Sequence, residues 1–228
     1  VGSSDCEQIG QGLLAQPVNT LSSLAYVVVG LLLLRRALAA RSTERVILAT
    51  YAATVVAVGI GSVAFHGPMP SWGRFAHDAS IASVLAFVIG YDVALVRGAS
   101  ARSGLVGFCV LLGAGAVMLA AWPDLSNALD SVLVVGALIA EVAVARSPKR
   151  LAAARGFVRE PGVWILGASV LAVGAVLNAL GRTDAPLCDP GSLAQLHAVW
   201  HVLTAVVLGV YGAGVLGPRE QARPIIRA

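Results

Sequence analysis

The sequence predicts an all-α fold, a bundle of seven membrane-spanning helices, and three observations carry that prediction. First, the 228 residues are 57% hydrophobic and only 12% charged, with a mean hydropathy of +0.83. A water-soluble domain of this size needs a far more polar surface. Second, seven windows of roughly 20 apolar residues, the length that crosses a bilayer core, follow one another with short connections. Third, the basic residues alternate between connections: fourteen of the sixteen Lys and Arg fall on one side of the predicted membrane.

The first window, 19–40, opens with Asn19 and Ser22. The second, 45–66, ends on His66, and a tight Gly67-Pro68-Met69-Pro70 turn leads to the third, 75–96, which begins with His77 and Asp78. The fourth and fifth cover 104–122 and 127–145, and the sixth covers 162–180. The seventh, 193–216, carries His197 and His201 near its start. Arg35, Arg36, Arg41 and Arg45 follow the first window, and Arg97 and Arg102 the third. Arg146, Lys149, Arg150, Arg155 and Arg159 follow the fifth, and Arg219, Arg223 and Arg227 the seventh. Only Arg74 and Arg182 lie opposite. The positive-inside rule then predicts a cytoplasmic tail, 217–228, and an external N-terminal segment, 1–18. An odd number of spans agrees with that alternation. The segment is polar and mildly acidic, without the basic start and apolar core of a secretory signal. The expectation is a single membrane domain over 1–228. The charge pattern speaks against a nucleic-acid partner. The Arg-rich inner loops and the Ala, Gly and Val content suggest a bacterial inner membrane. Trp72, Trp122 and Trp164 suit interfacial anchoring. The span glycines Gly59, Gly61, Gly113, Gly115, Gly209 and Gly212 suit close helix packing.

This topology brings all four histidines to a similar depth near the outer leaflet. His197 and His201, four apart, share a helix face, and an imidazole inside a span is expensive enough to imply a function. With His66 from another helix they form a ligand set suited to a metal with an open position. Imidazoles suit zinc, copper, iron, nickel or a bis-His haem; a carboxylate and a hydroxyl nearby favour zinc. Asp78, brought back by the tight turn, is the candidate proton acceptor. Ser62, one turn before His66, is a candidate hydrogen-bond donor, although serines in such helices also bond their own backbone. His77 is read as a residue outside the ligand set. Cys6 and Cys188 both fall in outer segments, where a disulfide would tie the N-terminal segment to the loop before the seventh helix; Cys109 is expected to be a small buried apolar residue. Asp5, Glu7 and Asp189 are read as solvated loop charges, with calcium coordination the alternative. Asp92 and Glu141 are expected to face polar partners inside the bundle.

Gly61-Ser62-x-x-x-His66, Asp78, Cys188-Asp189 and Gln195-x-His197-x-x-x-His201 together resemble the alkaline ceramidases, as does Asn19-Thr20-x-Ser22. These belong to a wider group of seven-helix membrane hydrolases that includes the adiponectin and progestin receptors. The resemblance runs from the N-terminal segment to the last helix. It implies a zinc held by His66, His197 and His201, with Asp78 and Ser62 assisting hydrolysis of a lipid amide. Asp78 stands one residue further from His66 than in the animal enzymes. Gln16 replaces a glutamate of the family's calcium site, which argues against calcium here and leaves it a secondary expectation.

The expected activity is zinc-dependent, intramembrane amide hydrolysis of a ceramide-like lipid, with a fatty acid and a long-chain amine as products and the active site toward the outer leaflet. The alternative is a zinc-containing, receptor-like lipid binder without significant turnover. A retinal pigment is excluded because the sole lysine, Lys149, lies in a loop, and a haem protein would reveal itself by a Soret band.

Overall fold

The computed structural model describes residues 4–40, 42–147 and 161–215. The basic loop after Ser147 and the predicted tail 217–228 lie outside the described residues.

Seven long helices make up the described fold: α1 (Pro17–Leu38), α2 (Ser42–His66), α3 (Gly73–Arg97), α4 (Ala101–Ala121), α5 (Ser126–Ala145), α6 (Pro161–Leu180) and α7 (Leu196–Val215). A 3-10 turn, Pro123–Leu125, joins α4 to α5. Six of the seven are long and apolar enough to cross a membrane, and α6 adds a shorter apolar stretch, Trp164–Leu180. Among the described residues the only β pairing is a single bridge between Asp5 and Arg182. The protein is an integral membrane bundle.

The helix ends follow local chemistry. Pro17 opens α1, where its missing N–H is no loss. The Glu7 carboxylate, ten residues upstream, accepts the next two amides, Val18 N at 2.7 Å and Asn19 N at 2.8 Å. It thereby satisfies two donors that a helix start leaves open. Gly98 ends α3 in the left-handed conformation, φ 65°, which glycine adopts without strain. Ser100 caps α4 by accepting from Ser103 N.

Neighbour relations run α6–α7–α1–α2–α3, with α4 and α5 both packed on α3 and no extended packing between α5 and α6. The core gathers at the arginine-rich end, where Tyr51 meets Phe87 and Tyr211 with ring centroids 5.3 and 5.4 Å apart, and Phe108 closes on Phe87. The α1–α2 crossing is close. A Cβ at Gly30 would sit 2.5 Å from Val56 Cγ2, and one at Gly59 would sit 2.5 Å from Val27 Cγ2. Gly61, Gly209 and Gly212 are also close-approach positions, as expected, but Gly113 faces open space and Gly115 only a loose contact. Apolar side chains point outward along the bundle, among them Leu24, Leu31, Val110, Val132, Ile139 and Val176, as a hydrocarbon solvent demands. Cys109 belongs to this surface. It is exposed rather than buried, because an apolar window does not say which face of a helix meets lipid.

Candidate metal centre

The N-terminal segment lies across the histidine end of the bundle. Ala15 N and Gln16 N donate to the backbone oxygens of Gly67 and His66, Gln8 N to Pro190 O, and Thr183 N to Ser4 O. The Cys6–Cys188 disulfide, with Cα atoms 5.4 Å apart, fixes the segment to the loop before α7, as the outer positions of both cysteines predicted.

Beneath this strap three imidazoles converge. His66 closes α2, while His197 and His201 stand one turn apart at the start of α7. Ring centroids are 4.4 Å apart for His197 and His201, 5.0 Å for His66 and His197, and 5.3 Å for His66 and His201. One ligand atom from each lies within 4.8 Å of the other two.

Hydrogen bonding on the far side of each ring decides what this triangle can hold. His66 Nδ1 meets Gln16 Oε1 at 2.7 Å, His197 Nδ1 meets Asn178 Oδ1 at 2.7 Å, and His201 Nδ1 meets Ser22 Oγ at 2.9 Å. Gln16 Nε2 donates to Glu7 O, so its oxygen is the end turned to His66. Ser22 Oγ donates to Asn19 O, so it accepts from His201. Each Nδ1 therefore carries the proton and donates it, which leaves each Nε2 with a lone pair. The Nε2 atoms of His66 and His197 are buried without a partner. Three lone pairs turned on one point, two of them orphaned, suit a cation and little else. The Asp5 carboxylate stands behind two of the rings, 3.5 Å from His197 Nδ1 and 4.0 Å from His66 Nδ1.

Ser62 is buried beside the triangle, its Oγ 3.4 Å from His201 Nε2 and 2.8 Å from Ser23 Oγ. Ser23 donates its own proton to Asn19 O, so Ser62 donates to Ser23 and presents lone pairs to the site. Asp78 is buried at the head of α3. His77 Nδ1 donates to its Oδ1 at 2.9 Å, and Arg74 Nε stands 3.7 Å from its Oδ2. The His77 ring stacks on Phe65 and meets His66 edge-on at 6.1 Å, so Asp78 joins the triangle through His77.

The acidic residues of the N-terminal segment depart from expectation. Glu7 and Asp5 are buried, not solvated, and both Glu7 oxygens serve the start of α1. Asp189 does remain in the loop, its Oδ1 accepting from Gly191 N. Asp92 is fully buried inside the bundle. The residues behind the rings, Gln16, Asn178 and Asp5, were not predicted as contacts. Asn178 did leave a signal, a lone carboxamide in an otherwise apolar window.

A polytopic helical membrane protein with a buried tri-histidine site flanked by a carboxylate and a hydroxyl is thus the class that fold and site define. The chain belongs to the Ceramidase family, whose model, described as Ceramidase, matches residues 10–217. No curated protein and no solved structure matches it. Membership supports ceramide hydrolysis in general terms, with an amide as the bond broken and a membrane lipid as the substrate.

Proposed function

We propose that the chain is a zinc-dependent intramembrane amidase that hydrolyses a ceramide-like N-acyl lipid to a fatty acid and a long-chain amine. The observation that carries this reading is the set of three imidazoles whose Nδ1 protons are all tied back and whose Nε2 lone pairs converge. His66, His197 and His201 would hold the ion. Three neutral nitrogen ligands and an open position suit zinc, which when bound polarises a carbonyl and acidifies water.

The chain's own groups supply the rest. Asp78, which accepts from His77 and pairs with Arg74, takes a proton from the attacking water and delivers it to the leaving nitrogen. The C–N bond then breaks to give a carboxylic acid and an amine. Ser62 contributes a hydrogen bond to the developing oxyanion once its hydroxyl rotates away from Ser23. The positive-inside bias supports a site toward the outer leaflet and Arg-rich ends in the cytoplasm.

Elemental analysis of purified protein, paired with a hydrolysis assay on an N-acyl lipid, tests the reading. The expected result is one zinc per chain and release of fatty acid. Asp78→Asn should keep the metal and lower turnover about 10²–10⁴-fold. Stoichiometric zinc with no hydrolysis of any acyl-amide lipid would favour the receptor-like alternative instead.

A further inference from the structure

We propose that Asp130 is the specificity-determining residue of the site, receiving the hydroxyl-bearing amine half of the lipid. The proposal rests on the amidase reading above.

Helix α5 buries Ser126, Leu133, Ala137, Ala140 and Val144 along one stripe, and α5 packs on α3. Asp130, itself half-buried, is in register with that stripe, four residues after Ser126 and three before Leu133, where the pattern calls for an apolar or small side chain. Its depth is set by Arg74 on α3. The guanidinium donates to Pro123 O at 2.9 Å and Ser126 Oγ at 3.4 Å while pairing with Asp78 at 3.7 Å. The first turns of α3 and α5 are thereby pinned together, and Asp130 lies one turn further in. Its carboxylate interacts electrostatically with both Asp78 and His77, and its Oδ1 is buried with no hydrogen-bond partner.

A carboxylate accepts hydrogen bonds and cannot donate them when ionised. A buried, unpaired acceptor at the edge of a reaction centre therefore looks for donors. The acyl half of an N-acyl lipid offers none: its carbonyl is an acceptor and its chain is apolar. The amine half of a ceramide-like lipid offers hydroxyls on the carbons beside the one that bears nitrogen, and it becomes an ammonium after cleavage. Asp78 passes a proton to that nitrogen, so the amine half must lie on the Asp78 side. The Arg74 bridge, which ties Asp78 to Ser126 one turn before Asp130, argues that Asp130 lies on that side. The same acceptor discriminates against an amide whose amine half is a plain alkyl chain, because the carboxylate would then be buried against methylene groups.

The test uses the full chain, zinc-loaded and in lipid nanodiscs, with two amides of one fatty acid. One is built on a long-chain 2-amino-1,3-diol, the other on an alkylamine of equal length. Wild type should prefer the diol amide by about tenfold or more in kcat/KM, chiefly through KM. Asp130→Leu should erase that preference, by lowering kcat/KM for the diol amide and raising it for the plain amide, with bound zinc unchanged. Asp130→Asn, which keeps one acceptor oxygen, should fall between. No preference in wild type, or an equal loss on both amides, overturns the proposal. If wild type cleaves neither lipid, the amidase reading fails by itself, and equilibrium binding of the same two lipids still decides. Tighter binding of the diol amide that Asp130→Leu abolishes supports the assignment; equal binding overturns it.

Discussion

At the scale of the residue, the proposed zinc site would depend on atoms on the far side of the rings. Gln16 Oε1, Asn178 Oδ1 and Ser22 Oγ fix three tautomers, and such outer partners commonly matter about 10–100-fold in metal affinity. Gln16→Ala should therefore weaken zinc binding by roughly that factor in a chelator competition titration. His197→Ala should abolish stoichiometric binding outright. The clustering of His66, His197 and His201 could be read from the sequence, because helical spacing and matched depth are properties of the chain. Their partners could not. Gln16 and Asp5 reach the rings from an irregular segment that no periodicity describes, and Asn178 depends on how α6 leans on α7.

At the scale of the element, the seven apolar windows and the observed helices agree to within a few residues at either end. Hydrocarbon length and turn residues such as Gly67 and Gly98 dictate those ends. Helix orientation was harder to read, because in lipid both faces of a span are apolar and period-3.6 patterning fades. That is why Cys109 and Gly113 were assigned to packing and in fact face outward. The two kinds of glycine should respond differently to substitution. Gly30→Ala forces a methyl into Val56 at the α1–α2 crossing and should destabilise the protein by about 1–3 kcal/mol. Gly113→Ala meets nothing within 4 Å and should leave the unfolding midpoint in detergent unchanged or slightly raised. Glu7→Ala removes the acceptor for the first free amides of α1, a loss of about 0.5–2 kcal/mol in the same assay.

At the scale of the whole molecule, the strap would make stability and retention of the proposed zinc one property. The Cys6–Cys188 bridge is 182 residues long in sequence, and it holds Asp5 and Gln16 where the rings need them. A Cys6→Ser/Cys188→Ser variant should lose about 2–4 kcal/mol of stability and release zinc faster to a chelator than the oxidised parent. Thermal unfolding with and without reductant measures the first, and metal-release kinetics the second. The cysteines' shared compartment was legible from topology, whereas the burial of Glu7 and Asp5 was not, since loop charges usually face water.

The strap also has a bearing on biosynthesis. Asp5, Cys6 and Gln16 precede α1 in the chain, yet Cys188 and two of the three proposed nitrogen donors, His197 and His201, lie more than a hundred residues after α2. With the proposed zinc site, arrested nascent chains ending before Leu196 should hold no stoichiometric ion, and metalation would be a closing event of insertion rather than a template for it.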